Sequence, residues 1–405
     1  MRYLRAMSRE SVSVISAPLS PAERSLAPDV ARGAMLGFIA VANVSFYLWG
    51  RPLDVYGNIA DAGSVDRVAL FVEQLLMAER SRPMFAILYG FGIAVMASRA
   101  TARGLGPSAV RALLARRSLW LIAFGVLHAA LLFAGDVLAP YGATGLVALT
   151  LVLLPSAALR AWLWGTSAVV VLVTLPILAF LGSGASMDDA TLAGEQAAGS
   201  EYLANVAYGL IASAAGIAFA LLLLAYLPLV IVGILVQRAG WLERPAAHVP
   251  SLRRVFWSAL VMNLVSSTPV ALIALGVWRP SEGVAVVAGY LTLLGGMYAG
   301  LGYVCGFALL ARRWDARGRR GVPGALAALG ARSLTGYLGQ SILLAPVLAP
   351  WGLGLGDGLG YLAAYGLAVG AWLVTVVVAV LLERQGLRGP FEVLLRRLTY
   401  PRTRT

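Results

Sequence analysis

The sequence predicts an all-α chain, a polytopic bundle of about ten transmembrane helices with both termini in the cytoplasm. Three observations lead there. Of 405 residues, 60% are hydrophobic and only 13% charged, which is more apolar surface than a soluble domain of this length can bury. Apolar runs near the ~20 residues needed to cross ~30 Å of hydrocarbon recur along the chain. Arginines gather in alternate connecting segments, as they do when they set topology.

The first thirty residues are polar, carry Arg2, Arg5, Arg9 and Arg24, and lack the apolar core and small-residue cleavage site of a signal peptide. Residues 1–28 therefore read as a cytoplasmic arm. Apolar runs follow at Gly33 to Gly50, Pro83 to Ser98, Ser118 to Ala134, Val137 to Leu154, Ala161 to Leu181, Val206 to Val236, Val255 to Val277, Gly283 to Ala311, Leu334 to Ala349 and Leu359 to Leu382. The sixth and eighth are long enough to tilt, kink or project. An amphipathic piece, Val65 to Glu79, leads into the second and is expected at the interface. With no convincing internal repeat, residues 29–384 form one transmembrane domain, and 385–405 a basic cytoplasmic tail.

Charge tests this count. With the amino terminus inside, 25 arginines fall on inner segments, Arg51, Arg67 and Arg279 fall outside, and Arg32, Arg80, Arg82 and Arg332 stand at helix ends. Removing one span would flip the parity of every later loop and destroy that split. The outer loops lean acidic, with Asp54, Asp61 and Asp66 in the first and Asp188, Asp189, Glu195 and Glu201 in the third.

The net charge of +13 comes with 32 basic residues, all of them arginine. Beside apolar runs these meet anionic lipid headgroups, so the partners are membrane lipids and no nucleic acid. One cysteine, Cys305, allows no intramolecular disulfide, and with only His128 and His248 there is no metal site of the Cys/His type. No GxSxG, HExxH, P-loop or dinucleotide fingerprint is present.

Ionisable and polar groups inside apolar helices are costly and mark functional sites. His128 lies eleven residues past Arg117, about 16 Å along a helix and near the midplane. Asn43 lies about 16 Å beyond Arg32, Asn263 about 13 Å beyond Arg254 and Gln340 about 12 Å beyond Arg332, so the four are expected in one layer. They serve either as interhelical hydrogen-bond partners or as a site. A neutral imidazole is a poor space filler beside leucines and a good proton shuttle, which favours function for His128.

Asp136 follows where the helix ends. Eight helical residues separate it from His128 by about 12 Å and about 80° in azimuth, so the two cannot bond directly unless the helix breaks. Asp136 is instead expected at an outer vestibule, in an ion pair with Arg82 or as a solvated loop acid. Asp29 and Arg32, in Pro28-Asp29-Val30-Ala31-Arg32-Gly33, read as an N-cap and an inner-face anchor.

Several segments together resemble the YeiB-like family of bacterial integral membrane proteins, known as domain of unknown function 418. They are Asp29-Val30-Ala31-Arg32-Gly33 followed by Asn43, Arg82-Pro83-Met84-Phe85 through Gly92, and Gly125 to Gly145 with His128, Gly135-Asp136 and Tyr141-Gly142. Gly330 to Ser341 and Gly389 to Tyr400 complete the set. Tyr89 and Gly336 depart from the family's usual phenylalanine and asparagine.

That family resembles, more distantly, the transmembrane acyltransferases, which move an acyl group from a cytoplasmic donor to a membrane or extracytoplasmic acceptor. The resemblance implies a bacterial inner-membrane protein with no bound cofactor and with acyl-CoA as candidate co-substrate. His128 would be the general base, with Asp136 as the second candidate catalytic residue. Asn43, Gln340 and Tyr337 would orient the carbonyl and its oxyanion, Arg32 and Arg332 would hold donor phosphates, and Asp29 and Arg82 would complete the binding set. The acceptor would be a small molecule or glycolipid, and a homo-oligomer is compatible. The histidine that related sugar acetyltransferases carry soon after the first helix is missing from Phe46 to Arg51. A transporter or lipid flippase is the alternative, since a polar midplane also suits substrate passage.

Overall fold

The computed structural model describes residues 25–182, 201–314 and 320–400. The arm, the acidic residues 183–200 and the arginines at 317, 319, 402 and 404 lie outside the described residues. Apart from isolated bridges at Trp49–Asp357 and Leu53–Ile59, the regular structure described is helical. The helices are α1 (Ala27–Val44), α2 (Ser64–Leu76), α3 (Ser81–Ala102), α4 (Pro107–Leu131), α5 (Leu138–Leu151), α6 (Ser156–Gly182) and α7 (Tyr202–Leu222). They continue as α8 (Leu227–Arg238), α9 (Val249–Leu275), α10 (Glu282–Trp314), α11 (Gly321–Gly330), α12 (Ser333–Leu348), α13 (Tyr361–Arg384) and α14 (Pro390–Thr399).

Among the described residues, seven helical stretches are long and apolar enough to cross a membrane, and α5, α8, α11 and α12 are apolar but shorter. The chain is thus a helical bundle of the membrane-protein kind. Each expected apolar run meets a helix, with one correction. The sixth run divides into α7 and α8 at residues 223–226, where Leu224 takes φ +51°. Pro228 explains the break, because it has no N–H for the Leu224 carbonyl and its ring clashes with that group. The eighth run stays one helix of 33 residues, about 50 Å long.

The amphipathic piece is α2, which packs against α9 and α13 and buries Leu70 and Glu73. Beyond it Arg80 turns back, fully buried. Its guanidinium donates to the carbonyls of Gln74 and Ala78, to Ser267 Oγ and, through Nε, to Asn263 Oδ1, while Asn263 Nδ2 donates to the Leu75 carbonyl at 2.9 Å. Arg80 therefore closes the carbonyl end of α2 and ties it to α9, where opposite charge meets the helix dipole. Asn263 belongs to this cluster and so serves as an interhelical hydrogen-bond partner, one of the two roles expected of it.

The last helix locks α12. Glu392 of α14 accepts the backbone N–H groups of Leu334 and Thr335 at 2.7 and 3.0 Å and the Thr335 hydroxyl at 2.5 Å. These N–H groups have no partner within their own helix, so a carboxylate from another element serves as their cap. Phe391 sets its ring edge-on to Phe124 of α4, and Arg116 donates to the Thr399 carbonyl at 3.0 Å. Glu392→Ala leaves two amides and a hydroxyl without this acceptor, a cost of about 1–3 kcal/mol. The expected result is a midpoint of thermal unfolding several degrees lower in detergent; an unchanged midpoint would contradict the capping role.

Candidate functional site

Helix α4 ends at Leu131, three residues past His128, and the chain turns through 132–137 before α5 starts at Leu138. This turn is buried at Phe133, Asp136 and Val137. It folds inward because Asp136 caps α5, its Oδ2 accepting the Ala139 N–H at 2.8 Å. Gly125, one turn before His128, makes room for it: a Cβ there would collide with Ala139 N and with Asp136 Oδ2. Gly142 and Gly145 let α5 approach α4 at Ser118 in the same way.

The inward fold overturns two expectations. His128 and Asp136 are bonded directly, Nδ1 to Oδ1 at 2.7 Å, because the helix does break between them. Asp136 is not paired with Arg82, which instead meets Glu79 at 2.8 Å. Both side chains of the His128–Asp136 pair are 1% exposed, which places the acid in the protein interior and not at a vestibule.

The second imidazole nitrogen completes a chain of three. His128 Nε2 lies 2.8 Å from Ser341 Oγ of α12. A carboxylate only accepts, so it takes an Nδ1–H from the ring, and Nε2 faces the serine hydroxyl. Tyr337, one helical turn before Ser341, sets its ring 5.0 Å from the imidazole, and its hydroxyl accepts the Val137 N–H at 3.4 Å. Phe133 packs at 6.2 Å.

Ser341 opens onto a small cavity between α1, the 132–137 turn and α12, lined by Asn43, Tyr47, Phe133, Tyr337, Gln340 and Ser341 with three aliphatic neighbours. It holds about 10 Å³ of space for water, near the minimum for one molecule. Two buried polar atoms on its lining residues have no hydrogen-bond partner: Tyr47 Oη and Gln340 Oε1. The Gln340 amide donates through Nε2 to the Leu36 carbonyl at 3.2 Å, so what it leaves free is an acceptor. An acceptor suits an incoming hydroxyl or amine and not an oxyanion, which reverses the part assigned to Gln340.

The remaining expected residues stand apart from this cavity. Asp29 and Arg32 pair at 3.4 Å, and Arg32 also donates to the Leu88 carbonyl at 3.2 Å. Arg332 is buried and holds Glu383 at 2.7 Å, the Ala328 carbonyl at 3.0 Å and the Leu387 carbonyl. Its fork braces three segments, its Nε has no hydrogen-bond partner, and the residue lines a second, mostly apolar cavity of about 210 Å³ with Thr335, Gly336 and Thr375. Arg82 is 48% exposed on its side chain, and its backbone carbonyl accepts the Tyr141 hydroxyl at 2.8 Å.

Ser341 and Tyr47 are the members that sequence reasoning passed over. A serine in an apolar helix looks like any other, and its partner lies 213 residues away. The signal was the spacing of Tyr337, Gln340 and Ser341, which share one helix face at i, i+3 and i+4.

Residues 236–402 match the model of a family described as "Protein of unknown function (DUF418)". Along nearly its full length the chain is similar to the uncharacterized protein YeiB of Escherichia coli strain K12, 26% identical over 399 residues that cover 93% of this chain and 96% of that protein. The shared region takes in α12 and α14, and so the half of the site that holds Tyr337, Gln340 and Ser341. The carboxyl-terminal match and this end-to-end similarity support the resemblance of the chain to the YeiB-like DUF418 family.

Proposed function

We propose that this protein is an acyltransferase of the bacterial inner membrane, moving an acyl group from a donor of the acyl-CoA kind to a hydroxyl or amine acceptor. The observation that carries this reading is the Asp136–His128–Ser341 chain, whose imidazole sets Nε2 against the hydroxyl of Ser341, a residue that lines the polar cavity. His128 is the general base, and Asp136 is the positioning residue that fixes its tautomer and stabilises the imidazolium formed when a proton is taken. Gln340 Oε1 accepts a hydrogen bond from the acceptor group, and the Tyr47 hydroxyl donates to the carbonyl oxygen as charge builds there. The distant resemblance of the family to transmembrane acyltransferases supports the same chemistry.

The test uses the full chain in lipid nanodiscs with radiolabelled acetyl-CoA and an extract of bacterial membrane lipids and glycolipids. Label is expected to move to an extractable acceptor, and His128→Ala is expected to slow this by about 10²–10⁴-fold, the usual worth of a positioned base. If no label moves, the reading fails.

A transporter reading draws on one observation, the broken sixth span. The break brings Tyr226 within 4.8 Å of the Tyr141 ring, and its hydroxyl lies beside the Arg82 guanidinium. Broken helices with polar groups at the break serve substrate passage elsewhere. Acceptor-independent lipid or solute flux in proteoliposomes, lost in Arg82→Ala, would favour it.

A further inference from the structure

Hydroxyls in this bundle ordinarily bond within their own helix. Thr144, Thr166, Ser258, Thr268 and Thr292 each donate to the carbonyl four residues earlier. That is the default for serine and threonine in apolar helices. Ser341 does otherwise. Its hydroxyl is turned out of α12 to His128 Nε2 at 2.8 Å, with the imidazole held from behind by Asp136 at 2.7 Å. The nucleophile, base and orienting acid of a serine acyl-transfer site stand in this relation, on any fold.

A second observation points to a ligand at the same place. Tyr47 Oη and Gln340 Oε1 belong to residues 92% and 97% buried, have no hydrogen-bond partner, and line the cavity onto which Ser341 opens. An unmet buried polar atom is costly, so a cavity with two of them is built to receive a polar group. Tyr47 also lies close to Ser341. Its O–H is thus a donor beside Ser341 for the carbonyl oxygen whose carbon Ser341 would attack.

We infer that Ser341 is a catalytic nucleophile that carries the acyl group as an ester between donor and acceptor. This rests on the acyltransferase reading and specifies its course. In the first half, His128 Nε2 takes the Ser341 proton, Oγ bonds to the carbonyl carbon of the donor thioester, the C–S bond breaks, and the departing thiolate receives the proton from His128. In the second, His128 takes the proton of the acceptor hydroxyl or amine, the new C–O or C–N bond forms, the acyl–Oγ bond breaks, and Oγ recovers the proton. No oxidant or reductant is needed. The cavity is near the size of one water, which makes acetyl, the smallest acyl group after formyl, the natural probe.

The experiment treats the full chain in nanodiscs with acetyl-CoA or with p-nitrophenyl acetate, quenches in acid and reads the intact mass and the acetylated peptide. Turnover is followed with hydroxylamine as acceptor. The expected result is one acetyl group on Ser341, stable to neutral hydroxylamine and released by alkaline hydroxylamine, absent in Ser341→Ala and formed at least about 100-fold more slowly in Asp136→Asn. Ser341→Cys, which keeps the shape of the site, is expected to take the acetyl group as a thioester. No acetyl on Ser341 from either donor overturns the inference. Transfer from acetyl-CoA to hydroxylamine that survives in Ser341→Ala but is lost in His128→Ala overturns the covalent step and leaves the general-base reading standing. Acetylation of Ser341 by the activated ester alone upholds the nucleophile and defeats the CoA-donor reading.

Discussion

Asp136→Asn is expected to leave the fold in place and to cut acyl transfer by about 10²–10⁴-fold, the largest effect predicted for a residue that does not touch substrate. The reason is the imidazole tautomer. Asp136 Oδ1 takes the Nδ1–H and frees Nε2 for Ser341. An asparagine can present its amide N–H to Nδ1, which moves the ring proton to Nε2 and leaves no lone pair to receive the serine proton. The side-chain oxygen that remains can still accept the Ala139 N–H, so the start of α5 keeps its cap. A loss in kcat with little change in KM or in thermal midpoint is the expected signature. Wild-type turnover in Asp136→Asn would sever the acid from the chemistry.

Gly125→Ala is expected to do the opposite, damaging structure and chemistry together. The added methyl would meet the backbone nitrogen and Cα of Ala139 and the Asp136 carboxylate at distances no real Cβ contact shows. Two of these three atoms are backbone, so the start of α5 must move away from α4. Overpacking of this kind costs about 1–3 kcal/mol, and it also withdraws Asp136 from His128. The control is Gly165→Ala, where a Cβ meets nothing within 4 Å. Thermal unfolding in detergent should fall by several degrees for the first variant and stay unchanged for the second. Equal midpoints would show that the α4–α5 approach is not set by Gly125.

The bundle was legible because hydrophobic runs are a one-dimensional signal. Each expected run met a helix, and only Pro228 divided one of them. The site was half legible. His128 stood out as an ionisable group in an apolar helix, and Asn43, Gln340 and Tyr337 do line or flank its cavity. The pairings were hidden because they depend on where α4 stops. Treating residues 128–136 as unbroken helix separated His128 from Asp136, whereas the helix ends at Leu131 and the capping of α5 returns the carboxylate to the ring. Ser341 was hidden for a different reason: which helix faces α4 at that depth is a property of packing, and no local pattern records it. Arg80 and Asn263 show the same limit, since both fitted a membrane-depth argument and both serve to close α2.

The central claim is that a buried carboxylate holds His128 as an Nδ1–H imidazole facing Ser341. The chain has two histidines, so ¹⁵N-imidazole labelling yields one signal set for His128 and one for His248, told apart by His248→Gln. The account predicts that His128 in nanodiscs is the neutral Nδ1–H tautomer and that Asp136→Asn converts it to Nε2–H. An Nε2–H tautomer in the wild type, or a ring whose tautomer ignores Asp136→Asn, would contradict it.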